Sequence, residues 1–130
     1  MIAESLAGSY LKKTGIPYDK EVPISSLAIP LDADLPHNKR WDFTVITPST
    51  LYVIETNFYT DKGSKLNETA RSYRLIAEEA RNIPGFTFVW ITDGKGWNYA
   101  KNSLLETFSV LDTLYNIADL EAGVFTELFS

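Results

Sequence analysis

Apolar positions recur along this chain with two different periods, and the switches between them outline its elements. From Ile2 to Lys13 they return at helical spacing, with Ile2, Leu6 and Tyr10 on one stripe, and Gly15 and Pro17 close the segment. Glu21 to Ile29 has the β-branched content of an irregular first strand. Pro23 assigns it to an edge or a bend, because proline has no N–H to give a central ladder. Leu31 to Asn38, with Pro36, is a polar connection. Trp41–Thr47 and Leu51–Tyr59 then alternate with a period of two around Pro48 and Ser49, which predicts an antiparallel hairpin.

Thr60 to Ser64 is a glycine-containing polar loop in which Ser64 supplies a helix cap. The period then lengthens: Leu66, Ala70, Tyr73, Ala77 and Ala80 mark the buried side of a helix from Lys65 to Arg81, stopped by Asn82, Pro84 and Gly85. Phe86–Thr92 contains Phe88, Val89, Trp90 and Ile91, the continuous apolar run of a central strand. A tight turn through Asp93, Gly94, Lys95 and Gly96 leads to a helix expected from Trp97 or Asn98 to the neighbourhood of Leu114, and Ile117–Phe129 reads as a closing helical segment. The order α-β-β-β-α-β-α predicts an α/β domain, a mixed sheet with helices packed on its faces.

Composition narrows the chemistry. At 130 residues, 45% hydrophobic and 13% aromatic, the chain can build one folded core. No cysteine is present, which excludes disulfides, a thiolate nucleophile and a cysteine zinc site, and a single histidine, His37 on the polar connection, excludes a multi-histidine centre. The first twenty residues carry Glu4, Lys12 and Lys13 and lack a signal-type apolar run. Nowhere is there a stretch of the roughly 18 apolar residues that a membrane span requires, so a cytoplasmic location is expected. The net charge of -5 is unevenly spread: residues 1–101 hold all twelve basic and twelve acidic side chains, and Glu106, Asp112, Asp119, Glu121 and Glu127 make the tail acidic. Charge therefore argues against non-specific coating of nucleic acid but leaves room for a local basic surface.

The hairpin brings two acids together. If Thr47 opposes Thr50 across a two-residue joint, counting back sets Asp42 opposite Glu55, with Thr44, Val53 and Asn57 on the same face and Trp41 on the other. Directly paired residues have Cβ atoms about 4.5–5.5 Å apart, and two carboxylates so placed repel unless a cation or proton lies between them. Oxygen ligands of this kind suit magnesium. The structural alternative is that both side chains point into water, and a one-residue slip in register would separate them.

The residues around this pair carry a resemblance. KRWDF at 39–43, YVIETNFY at 52–59, GSKLNETARSY at 63–73 and FVWITDGKGW at 88–97 resemble the carboxy-terminal core of type II restriction endonucleases of the DpnII/MboI type, which cut duplex DNA at GATC, over about half of the chain. The resemblance implies the PD-(D/E)xK nuclease superfamily and a restriction-endonuclease-like fold. It also implies Asp42 and Glu55 as magnesium ligands, and residues 1–130 as a single nuclease-like domain, a fragment or minimal form of a longer enzyme. Two positions depart from the superfamily pattern: Trp41 where a proline often precedes the aspartate, and Asn57 where a catalytic lysine is usual. Asn57 can orient a water but is a poor base, so Lys65 is the candidate for the missing charge, with Lys62 a weaker one.

Asn67, Arg71, Arg74 and Glu78 form one polar stripe on the second helix. On the nuclease reading Lys62, Lys65, Asn67, Arg71 and Lys95 contact DNA, and Glu4 and Glu68 are further acids at or behind the metal. The structural alternatives are solvated helix faces and a purely structural glycine turn; the turn lacks the spacing of a phosphate-cradling loop. Trp90 is expected in the core. The function expected is magnesium-dependent hydrolysis of double-stranded DNA, with a twofold homodimer if the site is palindromic. The alternative is a non-catalytic DNA-binding or assembly domain that keeps the nuclease core.

Overall fold

Five strands form one mixed sheet in the computed structural model, which describes residues 2–27, 40–59 and 65–129. They are β1 (Asp19–Pro23), β2 (Arg40–Ile46), β3 (Leu51–Phe58), β4 (Phe86–Asp93) and β5 (Leu114–Tyr115), side by side in that order. The helices are α1 (Ile2–Thr14), α2 (Lys65–Ala80), α3 (Lys101–Phe108), α4 (Ile117–Glu121) and α5 (Val124–Leu128). His37, Lys62, Ser64 and the connection containing Pro36 lie outside the described residues.

The hairpin register is the expected one. Thr47 N–H donates to the Thr50 carbonyl at 2.9 Å, and the β2/β3 ladder runs from Ile46↔Leu51 to Phe43↔Ile54. β1 pairs antiparallel with β2, whereas β3/β4 and β4/β5 are parallel. A parallel neighbour needs a crossover, and α2 supplies it between β3 and β4.

Both faces of the sheet are covered. Phe86, Phe88 and Trp90 of β4 pack with Leu66, Ala70, Tyr73 and Ile76 of α2. Val89 and Ile91 pack with Ala7 and Leu11 of α1 and with Leu120, Phe125 and Phe129 near the C-terminus. The alternation of β4 thus feeds two cores, as its unbroken apolar run predicts.

Several expectations need correction. The first strand starts earlier, at Asp19, and ends at Pro23 on the sheet edge, followed by a 3-10 turn. The inner stripe of α1 runs through Ala7 and Leu11, not Leu6 and Tyr10, which are half-buried flanks. Small residues let α1 approach: a Cβ on Gly8 would lie 3.2 Å from the Phe43 ring. The long helix expected to reach Leu114 is a 3-10 turn at Lys95–Tyr99 and the eight-residue α3, after which Leu114 and Tyr115 pair with Trp90 and Ile91. The closing segment is two short helices broken at Gly123, whose φ is 88°.

Candidate active site

The alternation of β2 breaks at Asp42. Phe43 and Val45 pack on the α1 side of the sheet, but Trp41 belongs to the α2-side core. A regular strand returns residues i and i+2 to one face, so the chain turns over between them. Side chains replace the ladder here. Asp42 N–H donates to Glu55 Oε2 at 3.0 Å, and the N–H and hydroxyl of Thr56 donate to Asp42 Oδ2 at 2.8 and 3.0 Å. Each carboxylate thereby accepts a peptide N–H of the opposing strand.

This geometry corrects the expectation that Asp42 and Glu55 share a face. Asp42 reaches Thr56 and α1, whereas Glu55, 1% exposed, accepts the Tyr73 hydroxyl of α2 at 3.4 Å with its other oxygen. Trp41 faces away from Asp42, as expected, and packs in the core on the Glu55 side. The ladder stops one pair short of the two acids, at Phe43↔Ile54, and they are joined through the Asp42 peptide.

A cluster forms on the Asp42 side. Carboxylate oxygens of Glu4, Glu21 and Asp42 lie within 4.8 Å of one another. Glu4 comes from the inner stripe of α1, one turn before Ala7. Glu21 stands opposite Asp42 between the pairs Lys20↔Phe43 and Val22↔Trp41, with φ of 52°, the one positive value at a non-glycine among the described residues. Sequence reasoning missed Glu21, because register across a strand pair separated by a long connection cannot be counted from the chain.

Burial, reinforced by a hydrogen bond to Glu21 and the charge of Asp42, raises the Glu4 carboxyl from 4.5 to about 7. Folded protein therefore keeps a proton that the unfolded chain releases between those values, so this group lowers stability as pH rises from 4.5 to about 7 and no further above. A cation held by Glu4, Glu21 and Asp42 would have to displace that proton. Magnesium-induced stabilisation is expected to be largest above pH 7 and to fade below it, and Glu4→Gln to flatten that dependence; thermal melts across pH with and without magnesium measure both. Equal magnesium effects at pH 5.5 and 8 would refute the assignment.

The proposed DNA-contacting residues divide. Asn67, Arg71 and Lys95 are exposed, Asn67 accepting the Ser103 hydroxyl of α3. Glu68 is exposed on the first turn of α2, outside the acidic cluster. The position of Lys65 as the first residue of α2 is described, its side chain is not. Arg74, read as part of the outward stripe, instead holds α3 through the Ser103 carbonyl at 3.1 Å and Glu106 at 3.6 Å. Arg40 donates to the Glu21 carbonyl at 3.0 Å. No helix among the described residues is long and apolar enough to cross a membrane.

Comparison with known proteins places this geometry in context. A family model described as DpnII restriction endonuclease matches residues 1–127. The type II restriction enzyme DpnII of Streptococcus pneumoniae is 58% identical over 90 residues, which cover 69% of this chain and 31% of that protein. The type II restriction enzyme MboI of Moraxella bovis is 44% identical over 86 residues, 66% of this chain and 31% of its own. The type II restriction enzyme LlaDCHI of Lactococcus lactis subsp. cremoris is 28% identical over 134 residues, covering 98% of this chain and 44% of that enzyme. The chain therefore spans less than half the length of these relatives. No solved structure matches it.

Proposed function

Because this chain belongs to the DpnII restriction endonuclease family, we propose that it carries the hydrolytic core of a magnesium-dependent endonuclease acting on double-stranded DNA. GATC is the proposed recognition sequence, and a twofold homodimer the form that meets its palindrome. The observation that carries this reading is the turnover of β2 at Asp42, which sets one carboxylate between the acids of α1 and β1 and the buried carboxylate of Glu55.

The donor set fits a hard cation. Three carboxylates, those of Glu4, Glu21 and Asp42, converge from α1, β1 and β2, with Glu55 of β3 behind them through the Asp42 peptide, and oxygen-only ligation of this kind is what magnesium takes. Asp42 and Glu55 would hold the ion, with Glu4 and Glu21 at or behind it. Bound there, it would polarise a phosphoryl oxygen and acidify the attacking water, yielding a 5′ phosphate and a 3′ hydroxyl.

The chain's own residues do the rest. Thr56 fixes Asp42 Oδ2 with two hydrogen bonds, and Tyr73 and the Asp42 peptide fix both oxygens of Glu55, so neither carboxylate must reorganise on binding. Glu4 would release its proton to make room for a cation bound there. Asn57 offers no base; Lys65 and Arg71 are assigned to neighbouring phosphates, and Asn67 and Lys95 to the backbone beside them. Lys62 is kept as a weaker contact.

Incubating the chain with an unmethylated GATC duplex and magnesium tests the proposal. Site-dependent cleavage that EDTA abolishes, and that a scrambled duplex does not support, is the expected result. Folded protein that binds magnesium yet leaves the duplex intact at high concentration would favour a non-catalytic DNA-binding or assembly domain. A methylated duplex in the same series reads out the effect of adenine methylation.

A further inference from the structure

We propose that Trp90 sets the polarity of Asn57, so that the proposed nuclease site receives a hydrogen-bond donor at this position and not an acceptor. The inference rests on the nuclease reading for its catalytic meaning, but its structural half does not. Asn57 is half-buried near the end of β3, two residues after Glu55 and on the same face. Its Oδ1 accepts the indole N–H of Trp90 at 2.9 Å. An indole N–H donates and cannot accept, whereas an asparagine amide has a donating and an accepting end. The bond therefore selects one of the two amide orientations.

Trp90 cannot move aside to permit the other. It is completely buried, opposite Glu55 in the β3/β4 register. Tyr73 meets its ring edge-on at a centroid distance of 4.8 Å, and Trp97 at 5.6 Å. Turning the amide over would set NH2 against N–H and leave a buried donor unpaired, a disfavoured arrangement. With Oδ1 turned to the indole, Nδ2 is the end directed away from it, and it has no hydrogen-bond partner among the described residues.

Asn57 thus supplies donors in the place where the superfamily pattern sets a lysine, without the positive charge. The same contact explains why lysine does not fit here. A lysine has no acceptor and would strand the indole N–H. Asn57 and Trp90 act as a matched pair: Asn57 meets the substrate phosphate or the attacking water, and Trp90 is its positioning residue.

Nuclear magnetic resonance of the 130-residue chain tests the structural half without any turnover. The Asn57 side-chain amide is expected to be as ordered as the backbone in the wild type and to become mobile in Trp90→Phe. An amide already mobile in the wild type, or still ordered in folded Trp90→Phe, overturns the proposal. Cleavage kinetics test the catalytic half. Asn57→Asp keeps an acceptor for Trp90 and removes the donor; it is expected to lower kcat about 10²-fold or more, as loss of one transition-state donor does. Trp90→Phe is expected to lower kcat about tenfold with KM for DNA unchanged, and adding Asn57→Lys to that variant to recover activity. Wild-type kcat in Asn57→Asp would show that the amide works through its oxygen and would overturn the proposal. If the wild type cleaves no duplex, the nuclease reading fails while the resonance experiment still decides the polarity of Asn57.

Discussion

Asp42→Asn is expected to abolish DNA cleavage while leaving the protein as stable as the wild type or more so. The amide keeps an oxygen that can accept the Thr56 N–H and hydroxyl, so the bonds that shape the turnover of β2 survive. What disappears is a charge within 4.8 Å of the carboxylates of Glu4 and Glu21. Relief of that repulsion is worth about 1 kcal/mol, in the range seen when a functional site is relaxed. Turnover should fall by about 10³-fold or more, several kcal/mol of transition-state stabilisation. Glu4 titration supplies an internal check. Burial is the main cause of its raised value and the Glu21 bond comes next, so removing the Asp42 charge lowers it only part of the way from about 7 towards 4.5. Urea unfolding, cleavage assays and a pH titration measure the three effects. A variant that still cleaves, or whose melting point drops sharply without losing magnesium-induced stabilisation, would remove Asp42 from the centre of the site.

The acid pair was legible because a hairpin joint of known length converts sequence into geometry. Once Thr47 opposes Thr50, each facing pair follows by subtraction, and the count brings Asp42 beside Glu55, whose carboxylate accepts the Asp42 N–H. Direction was not legible. The chain turns over at Asp42 because side-chain oxygens take the place of peptide carbonyls as acceptors, and a pattern of apolar residues carries no record of that exchange. Glu21 and the α1 stripe were hidden for a related reason: their partners are tens of residues away, and only the assembled sheet brings them together. Glu4 did leave a trace, since Glu4, Ala7 and Leu11 fall at helical spacing and an acid on a buried stripe calls for a partner. β5, two residues long, is too short to display a period. Trp90 was correctly read as core from its strand, yet its N–H acts on Asn57, a role that a hydrophobic run cannot reveal.

Gly94→Ala is expected to be among the most destabilising single changes in the chain, at about 3–5 kcal/mol. A Cβ on Gly94 would lie 1.9 Å from the Tyr59 carbonyl oxygen and 2.6 Å from its carbon, contacts with backbone and not with a movable side chain. Tyr59 cannot retreat without losing hydrogen bonds on both sides. Its N–H donates to the Asp93 carbonyl at 2.9 Å, and its carbonyl accepts the Gly96 N–H at 2.8 Å. The φ of 118° adds conformational strain for any L side chain. Gly123→Ala separates the two contributions. There φ is 88° but nothing lies within 4 Å of the added Cβ, so only the backbone term remains, about 1–2 kcal/mol. Damage at Gly94 also travels to the site. The Tyr59 ring meets Trp97 edge-on at 5.6 Å, Trp97 donates to Thr92 and packs on Trp90, and Trp90 holds Asn57. Folded Gly94→Ala protein at low temperature should therefore lose cleavage beyond its loss of folded population, whereas Gly123→Ala should not. Equal urea midpoints for the two variants would mean that the turn after β4 swings clear of Tyr59, and that the aromatic chain leading to Asn57 does not depend on this close approach.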